Sequence, residues 1–343
     1  MHPRPQITHD NHYVPQFYLR RWSKDGIHLW VYKTLVSHES EDEWKWASVK
    51  SCAFQRDLYT THIDGKLVDD YERWISSEIE NPAIPSVEKA VKGEYLAEKD
   101  WENLIRLLGL QDIRTPQSFI DFMSLWEKVV PDLLQSTLET VVKKLSVEGN
   151  HTLIQQNQSY LGSAFSHSMN VHVHKPAIPD EKGYIQAEVK LGRTFWVEVQ
   201  RYIITSTVEE LMKHNWCILH PAKGIRWVTS DHPVVKLNYY SSSAYDFKGG
   251  WGSSGTEIFM PLSPLHLMYT KIGSSPPPNK TLTPEVSIKI QRFLAEKSRK
   301  WIFASERQDE IPILKPRIIN SELVRKEQEV WNRWHEEQSK IEL

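Results

Sequence analysis

The residues best suited to chemistry lie in four short segments spread along the chain. Asn11, His12, Gln16 and Arg20 belong to NHYVPQFYLR, and Gln111, Arg114 and Thr115 to QDIRTP. Ser230 and Asp231 belong to TSDHPV, and a fourth segment, MPLSP, covers 260–264. Brought together, these groups suit a phosphodiester. His12 could act as general acid or base, because an imidazole titrates near neutrality. Asp231 could orient His12, or bind a divalent metal (magnesium or manganese) through oxygen, with Glu80 as a second carboxylate. Arg114 offers a planar fork to a phosphate oxygen. Gln111 lies three residues before Arg114, so the two share a helix face and one catalytic set. Asn11, Gln16, Arg20, Thr115 and Ser230 would then hold the substrate, through hydrogen bonds to a ribose, a base or a developing oxyanion.

Each group also has a structural reading. Asn11 and His12 can cap a first turn and satisfy buried backbone. Arg114 can bond carbonyls at a helix C-terminus or pair with Asp231. Ser230 and Asp231 before Pro233 can form an Asx-type turn.

Other signals are weaker. His172 and His174 alternate on one strand face, with His167 nearby, but no spacing fixes a third metal ligand. The string Gly250-Trp251-Gly252-Ser253-Ser254-Gly255 precedes a strand pattern, whereas a dinucleotide fingerprint needs a helix there. No P-loop, zincin or nucleophile-elbow motif occurs.

The elements that must position these residues read as follows. IHLWVYK, WASVKSCAF and DLYTTHI are strand-like, with Asp64-Gly65 as a turn signal. A helix over 68–92 must be interrupted by Pro82 and Pro85. A second covers 99–114. Thr115 can cap a third over 116–146, which contains Pro131. A further helical stretch covers 151–168. MNVHVH, YIQAEVKL, WCILHP, IRWVTS, VVKLNYY, TEIFMPL and HLMYTKI read as strands, and the stretch 188–213 carries strand and helix signals equally. Thr283-Pro284 opens another helix, WIFAS is a strand, and a charged helix with Trp331 and Trp334 ends the chain. The long Ser/Gly-rich segment 241–257 suits a functional or mobile loop.

This order predicts an α+β fold with a mixed or mainly antiparallel sheet. One large domain, 1–343, would comprise N-terminal strands (1–67) joining the main sheet, a helical lobe (68–168), a β-rich part (169–318) and a C-terminal helix (319–343).

Composition narrows the class. The chain has 343 residues, 40% hydrophobic and 25% charged, which is ordinary for a globular protein. Lys+Arg 42 against Asp+Glu 44 gives a net charge of −2, so no global positive field gathers nucleic acid, although a local groove still could. Mean hydropathy of −0.51 speaks against a membrane span. The N-terminus lacks an apolar signal region, so a cytoplasmic location is expected. Two cysteines, Cys52 and Cys217, leave no room for a disulfide framework and read as buried free thiols. The 14 Trp fall mostly at core-like positions.

Together, the four segments resemble the bacterial Domain of Unknown Function 4238 family. They span residues 11 to 264, most of the chain. His232 departs from the pattern, which favours Asn there. The resemblance implies a cytoplasmic bacterial protein, and some members are associated with phage-defence islands. It implies no catalytic mechanism. The expected function is therefore an antiphage effector acting as a nuclease or nucleotide hydrolase on nucleic acid or a nucleotide. The alternatives are a non-catalytic module that recognises a phage protein or small ligand, and a protein whose motifs only set the fold.

Overall fold

The computed structural model describes residues 7–63, 65–148, 167–174 and 184–342. Asp64 and the helical stretch expected at 151–168, except its last two residues, lie outside them.

Local rules explain the helical part. The helix expected over 68–92 is broken into Asp70–Ile75, a π-helical turn Ser76–Glu80, and Asn81–Lys92. Pro82 and Pro85 supply no N–H to the carbonyls four residues back, and the chain widens into the π turn just before them. Glu98–Ile113 starts with the Asp100 carboxylate accepting the Ala97 N–H at 3.0 Å. Pro116–Glu148 follows at once. Thr115 caps it as expected, its Oγ1 accepting the Ser118 N–H at 3.2 Å. Thr283 does the same for Pro284–Lys297 through the Val286 N–H.

The strands form two main sheets. Five strands order as Cys217–Leu219, His266–Lys271, Glu257–Ser263, Val235–Ser241 and Ala244–Asp246. Four order as Thr229–Ser230, Trp301–Ala304, His28–Lys33 and Trp44–Ser48. His28–Lys33 pairs with Trp301–Ala304 in the register Trp301↔Lys33 to Ala304↔Trp30, whereas Asp10–His12 pairs with Phe54–Arg56 and Thr61–Ile63 with Lys66–Val68. Among the described strands the pairing is antiparallel, apart from the short parallel pair Leu35–Val36 with Ile318–Ile319. The fold is α+β, with helices concentrated between 70 and 148. The ambiguous stretch 188–213 resolves mainly as helix, Arg193–Tyr202 and Glu209–Met212 around a second π turn.

Apolar burial ties the parts together. One core runs from Tyr13 and Val14 through Ile75, Leu104 and Leu108 to Met260 and Trp334. Trp22, Trp196 and Trp227 are fully buried, as the core reading of tryptophan requires. Each adds on the order of 2–3 kcal/mol of apolar transfer. The terminal helix Ser321–Glu342 docks through Trp334, whose ring meets Phe119 edge-on at 4.6 Å. Both cysteines are free and buried. Among the described residues no helix is long and apolar enough to cross a membrane.

Candidate active site

The four segments do meet, chiefly through backbone-directed latches. Arg114 is the C-cap of Glu98–Ile113 and is completely buried. Its Nε donates to the Tyr13 carbonyl at 2.8 Å and its Nη2 to the His12 carbonyl at 3.0 Å. Its Nη1 donates to Glu80 Oε1 at 2.7 Å. The Arg114 carbonyl accepts the Tyr59 hydroxyl at 2.5 Å. Asn11 closes the circle: its Oδ1 accepts the Tyr59 N–H at 3.0 Å, and its Nδ2 donates to the Thr8 carbonyl.

A second latch joins the first segment to the third and fourth. The Tyr18 hydroxyl donates to the Pro261 carbonyl at 2.6 Å and lies 2.8 Å from Thr229 Oγ1. Pro261 lies beyond Phe259, the last residue of its strand paired with Val235–Ser241, beside a register shift. Proline is tolerated at such an irregularity, and its carbonyl is left to receive the tyrosine.

His12, Glu80 and Arg114 are thus brought together from positions far apart in sequence. His12 is half-exposed, and its Nε2 lies 3.1 Å from the Lys50 carbonyl. A carbonyl only accepts, so Nε2 carries the proton and the Nδ1 of the neutral ring holds the lone pair. Burial lowers the His12 pKa. The Lys50 carbonyl opposes this, Arg114 adds to it, and Asp10 and Glu80 oppose it. Glu72 belongs to the same electrostatic group. Burial pushes its carboxyl up to about 7, against the pull of Arg114 and with help from Glu80 and Asp69. Its Oε2 is buried without a hydrogen-bond partner among the described residues. The π turn after Ile75 connects the helix that carries Glu72 to Glu80.

The other expected site residues go elsewhere. Asp231 is buried, with Oδ1 accepting the Arg299 N–H at 2.9 Å and Oδ2 the Lys300 N–H at 2.7 Å. Its own N–H donates to the Trp301 carbonyl. Burial raises its carboxyl to about 6, and these backbone N–H groups hold it back. No hydrogen bond or ion pair joins Asp231 to His12 or Glu80 among the described residues. Expected to orient His12 or share a metal with Glu80, Asp231 instead fastens the turn between Pro284–Lys297 and Trp301–Ala304. Glu80 is engaged by Arg114. No group of three His, Cys, Asp or Glu suited to a metal ion occurs among the described residues.

Arg114 does not present a fork to solvent, because burial closes it off. Gln111 is buried, and both its amide atoms lack a partner among the described residues. Ser230 Oγ accepts the His232 N–H at 3.1 Å, the turn geometry expected of that segment. Thr115 Oγ1 lies 2.7 Å from His232 Nε2. Gln16 is half-buried at the start of the short turn Gln16–Leu19, and Arg20 is exposed just beyond it. His172 and His174 share a strand face with ring centroids 6.4 Å apart, and His174 stacks on Tyr184. The glycine string at 250–255 leads into the strand Glu257–Ser263, unlike a dinucleotide loop.

Sequence reasoning missed Glu72, Asp112 and Lys236, and it treated His232 only as a departure from a pattern. Asp112 lay inside a quoted segment and Lys236 just beyond another. Charged pairs within or beside the motifs were the available signal.

The fold defines an α+β protein whose polar segments close its core around a buried arginine. The family model described as Protein of unknown function (DUF4238) matches residues 10–308, and the chain belongs to that family. Neither the curated proteins nor the solved structures yield a match.

Proposed function

We propose that the protein is a bacterial hydrolase of phosphodiesters, acting on nucleic acid or a nucleotide, with His12 as general acid/base beside Glu80. The observation that carries this reading is one buried guanidinium that holds the His12 carbonyl and the Glu80 carboxylate together, with its charge felt at Glu72 and at the His12 ring. Two carboxyls in one network differ in environment: Glu80 faces the Arg114 charge directly, and Glu72 titrates near neutrality. In this reading His12 Nδ1 takes a proton from the attacking hydroxyl or water. Arg114 is a positioning residue that holds the His12 backbone and Glu80. Asp231 has no part in the chemistry. The same proposal places the protein in the bacterial cytoplasm as an antiphage effector.

The test uses purified full-length chain with bis(p-nitrophenyl) phosphate, single-stranded RNA and DNA as substrates. Hydrolysis by the wild type that falls at least about a hundredfold in folded His12→Ala supports it. Equal rates in the two proteins, or no hydrolysis by the wild type, overturn it.

One observation favours a second reading, that of a protein whose motifs only set the fold. The polar groups of Asn11, Arg114 and Asp231 are spent on the protein's own backbone and on Glu80. Hydrolysis unchanged in His12→Ala, together with failure of Arg114→Ala and Asp231→Ala to fold, would select this reading.

A further inference from the structure

The edge of the four-stranded sheet carries a strip of rings that the core does not cover. Trp44–Ser48 is the last strand of that sheet, and its far side pairs with no further strand among the described residues. Of the 14 Trp, Trp46 alone is exposed, at 42%. Its register partner Trp30 lies on the same face, with ring centroids 5.0 Å apart. His28, paired with Ser48, stacks on Trp46 at 5.7 Å with an interplanar angle of 23°. Asp25 orients that imidazole, its Oδ2 lying 2.9 Å from Nδ1. The Arg307 guanidinium lies over the Trp30 ring, 4.2 Å from its centroid. Further along the same face, Tyr32 and Trp44 are buried in a core with Phe293 and Ile311. The face is therefore part core and part open, and the open part is aromatic.

The strip runs to His12. Ser48 Oγ accepts the Lys50 N–H at 3.3 Å, and the Lys50 carbonyl is the group 3.1 Å from His12 Nε2. Trp46 and the carbonyl that holds His12 thus belong to one continuous segment. The Phe54 ring continues the aromatic path, 5.7 Å from the His12 imidazole. Two cations flank the strip. Arg307 and Lys50 are exposed, and neither charged group makes a hydrogen bond or ion pair among the described residues. Glu306, next to Arg307, is instead taken up by Lys24 and Arg226. Rings alone would suit many partners. Rings flanked by unpaired cations suit an anionic polymer with flat faces.

We propose that this strip binds single-stranded nucleic acid, RNA or DNA, and leads the strand to His12. Bases stack on Trp46 and His28, and phosphates meet Arg307 and Lys50. A duplex keeps its base faces stacked inside and cannot offer them to the rings. The inference rests on the phosphodiester reading and names the class of its substrate.

The test is fluorescence anisotropy of the full chain at low salt with labelled RNA and DNA single strands of about 12 nucleotides, and with the matching DNA duplex. The His12→Ala protein is titrated beside the wild type, so that cleavage does not obscure binding. Binding of a single strand at least about tenfold tighter than the duplex, and weakened about tenfold or more in Trp46→Ala, supports the strip. Lys50→Met should reduce the salt slope by about one phosphate contact. Tyr95→Ala, which removes another exposed ring, should bind as the wild type does. Binding of only RNA or only DNA keeps the strip and assigns it to that strand. Equal affinity for the duplex, or Trp46→Ala that binds as tightly as Tyr95→Ala, overturns the proposal. Wild type that binds no single strand overturns it too, whatever its rate on bis(p-nitrophenyl) phosphate. Trp46-dependent binding without hydrolysis keeps the strip and refutes the acid–base role of His12 alone. If Trp46→Ala fails to fold, Trp46→Leu keeps apolar bulk without a π-face and carries the same comparison.

Discussion

The Arg114 guanidinium donates to the His12 carbonyl at 3.0 Å, across 102 positions of sequence. Through that bond and its neighbours, one side chain fixes the entry of the chain onto its helices. Removing it would strand two buried carbonyls and leave Glu80 without its counter-charge. Arg114→Ala is expected to cost about 3–5 kcal/mol, the range for breaking a buried ion pair. Arg114→Lys should recover little of this, because a single ammonium cannot reach three acceptors placed for a planar fork. Urea denaturation midpoints of the three proteins check it. A lysine variant as stable as the wild type would refute the fork geometry.

Glu72 gives a prediction in pH. Its carboxyl is pushed up to about 7 by burial, while in the unfolded chain it titrates near ~4.3. The folded chain therefore binds this proton more tightly. The stability so gained is complete below the unfolded value and is lost as pH rises to about 7. Glu72→Gln keeps the shape without the charge. The difference between variant and wild type should be small at pH 4 and favour the variant by about 3 kcal/mol at pH 8. Parallel stability curves from pH 4 to 8 would show that Glu72 is not desolvated.

His232 behaves in the opposite sense. Burial, reinforced by Lys297, pushes its imidazole down to about 3, against a usual value near ~6.5. Below the unfolded value the unfolded chain takes up a proton that the folded chain refuses, so stability is lost as pH falls. His232→Asn removes the titration and can still bond Thr115. The variant should gain on the wild type by about 2 kcal/mol at pH 5 and match it near pH 8. A constant offset across that range would count against the assignment.

The difference between what could and could not be read in the sequence follows from the range of each interaction. Thr115 and Thr283 act within four residues, so both caps were visible beside their prolines. The break near Pro82 was visible for the same reason, although its form, a π turn ending at Glu80, was not. Arg114 acts on carbonyls, which every residue possesses, so no residue type at 12 or 13 advertised the contact. Asp231 looked like a site residue because a carboxylate after a strand often faces a cleft. Its acceptors are instead filled by the backbone of 299 and 300, which only the sheet brings near. Glu72 was invisible because its raised pKa comes from burial rather than from a neighbour in sequence. Lys236 and Asp112 become partners only once Val235–Ser241 packs beside the end of Glu98–Ile113.

That last pair, with Lys236 Nζ 2.7 Å from Asp112 Oδ2, allows a test of whether charge holds it together. Burial pushes the Asp112 carboxyl up, but Lys236 and the Trp251 N–H outweigh it and keep it below its usual range. Lys236→Met would leave a buried carboxylate with the indole N–H as its main donor, a loss of about 3–5 kcal/mol. Asp112→Asn in that background removes the stranded charge while keeping an oxygen for Trp251. The double variant should therefore be more stable than Lys236→Met alone, recovering at least about half of the loss. Thermal unfolding of the single and double variants forms the cycle. If the two substitutions simply add, Lys236 and Asp112 do not interact, and Trp251 alone positions the end of the helix.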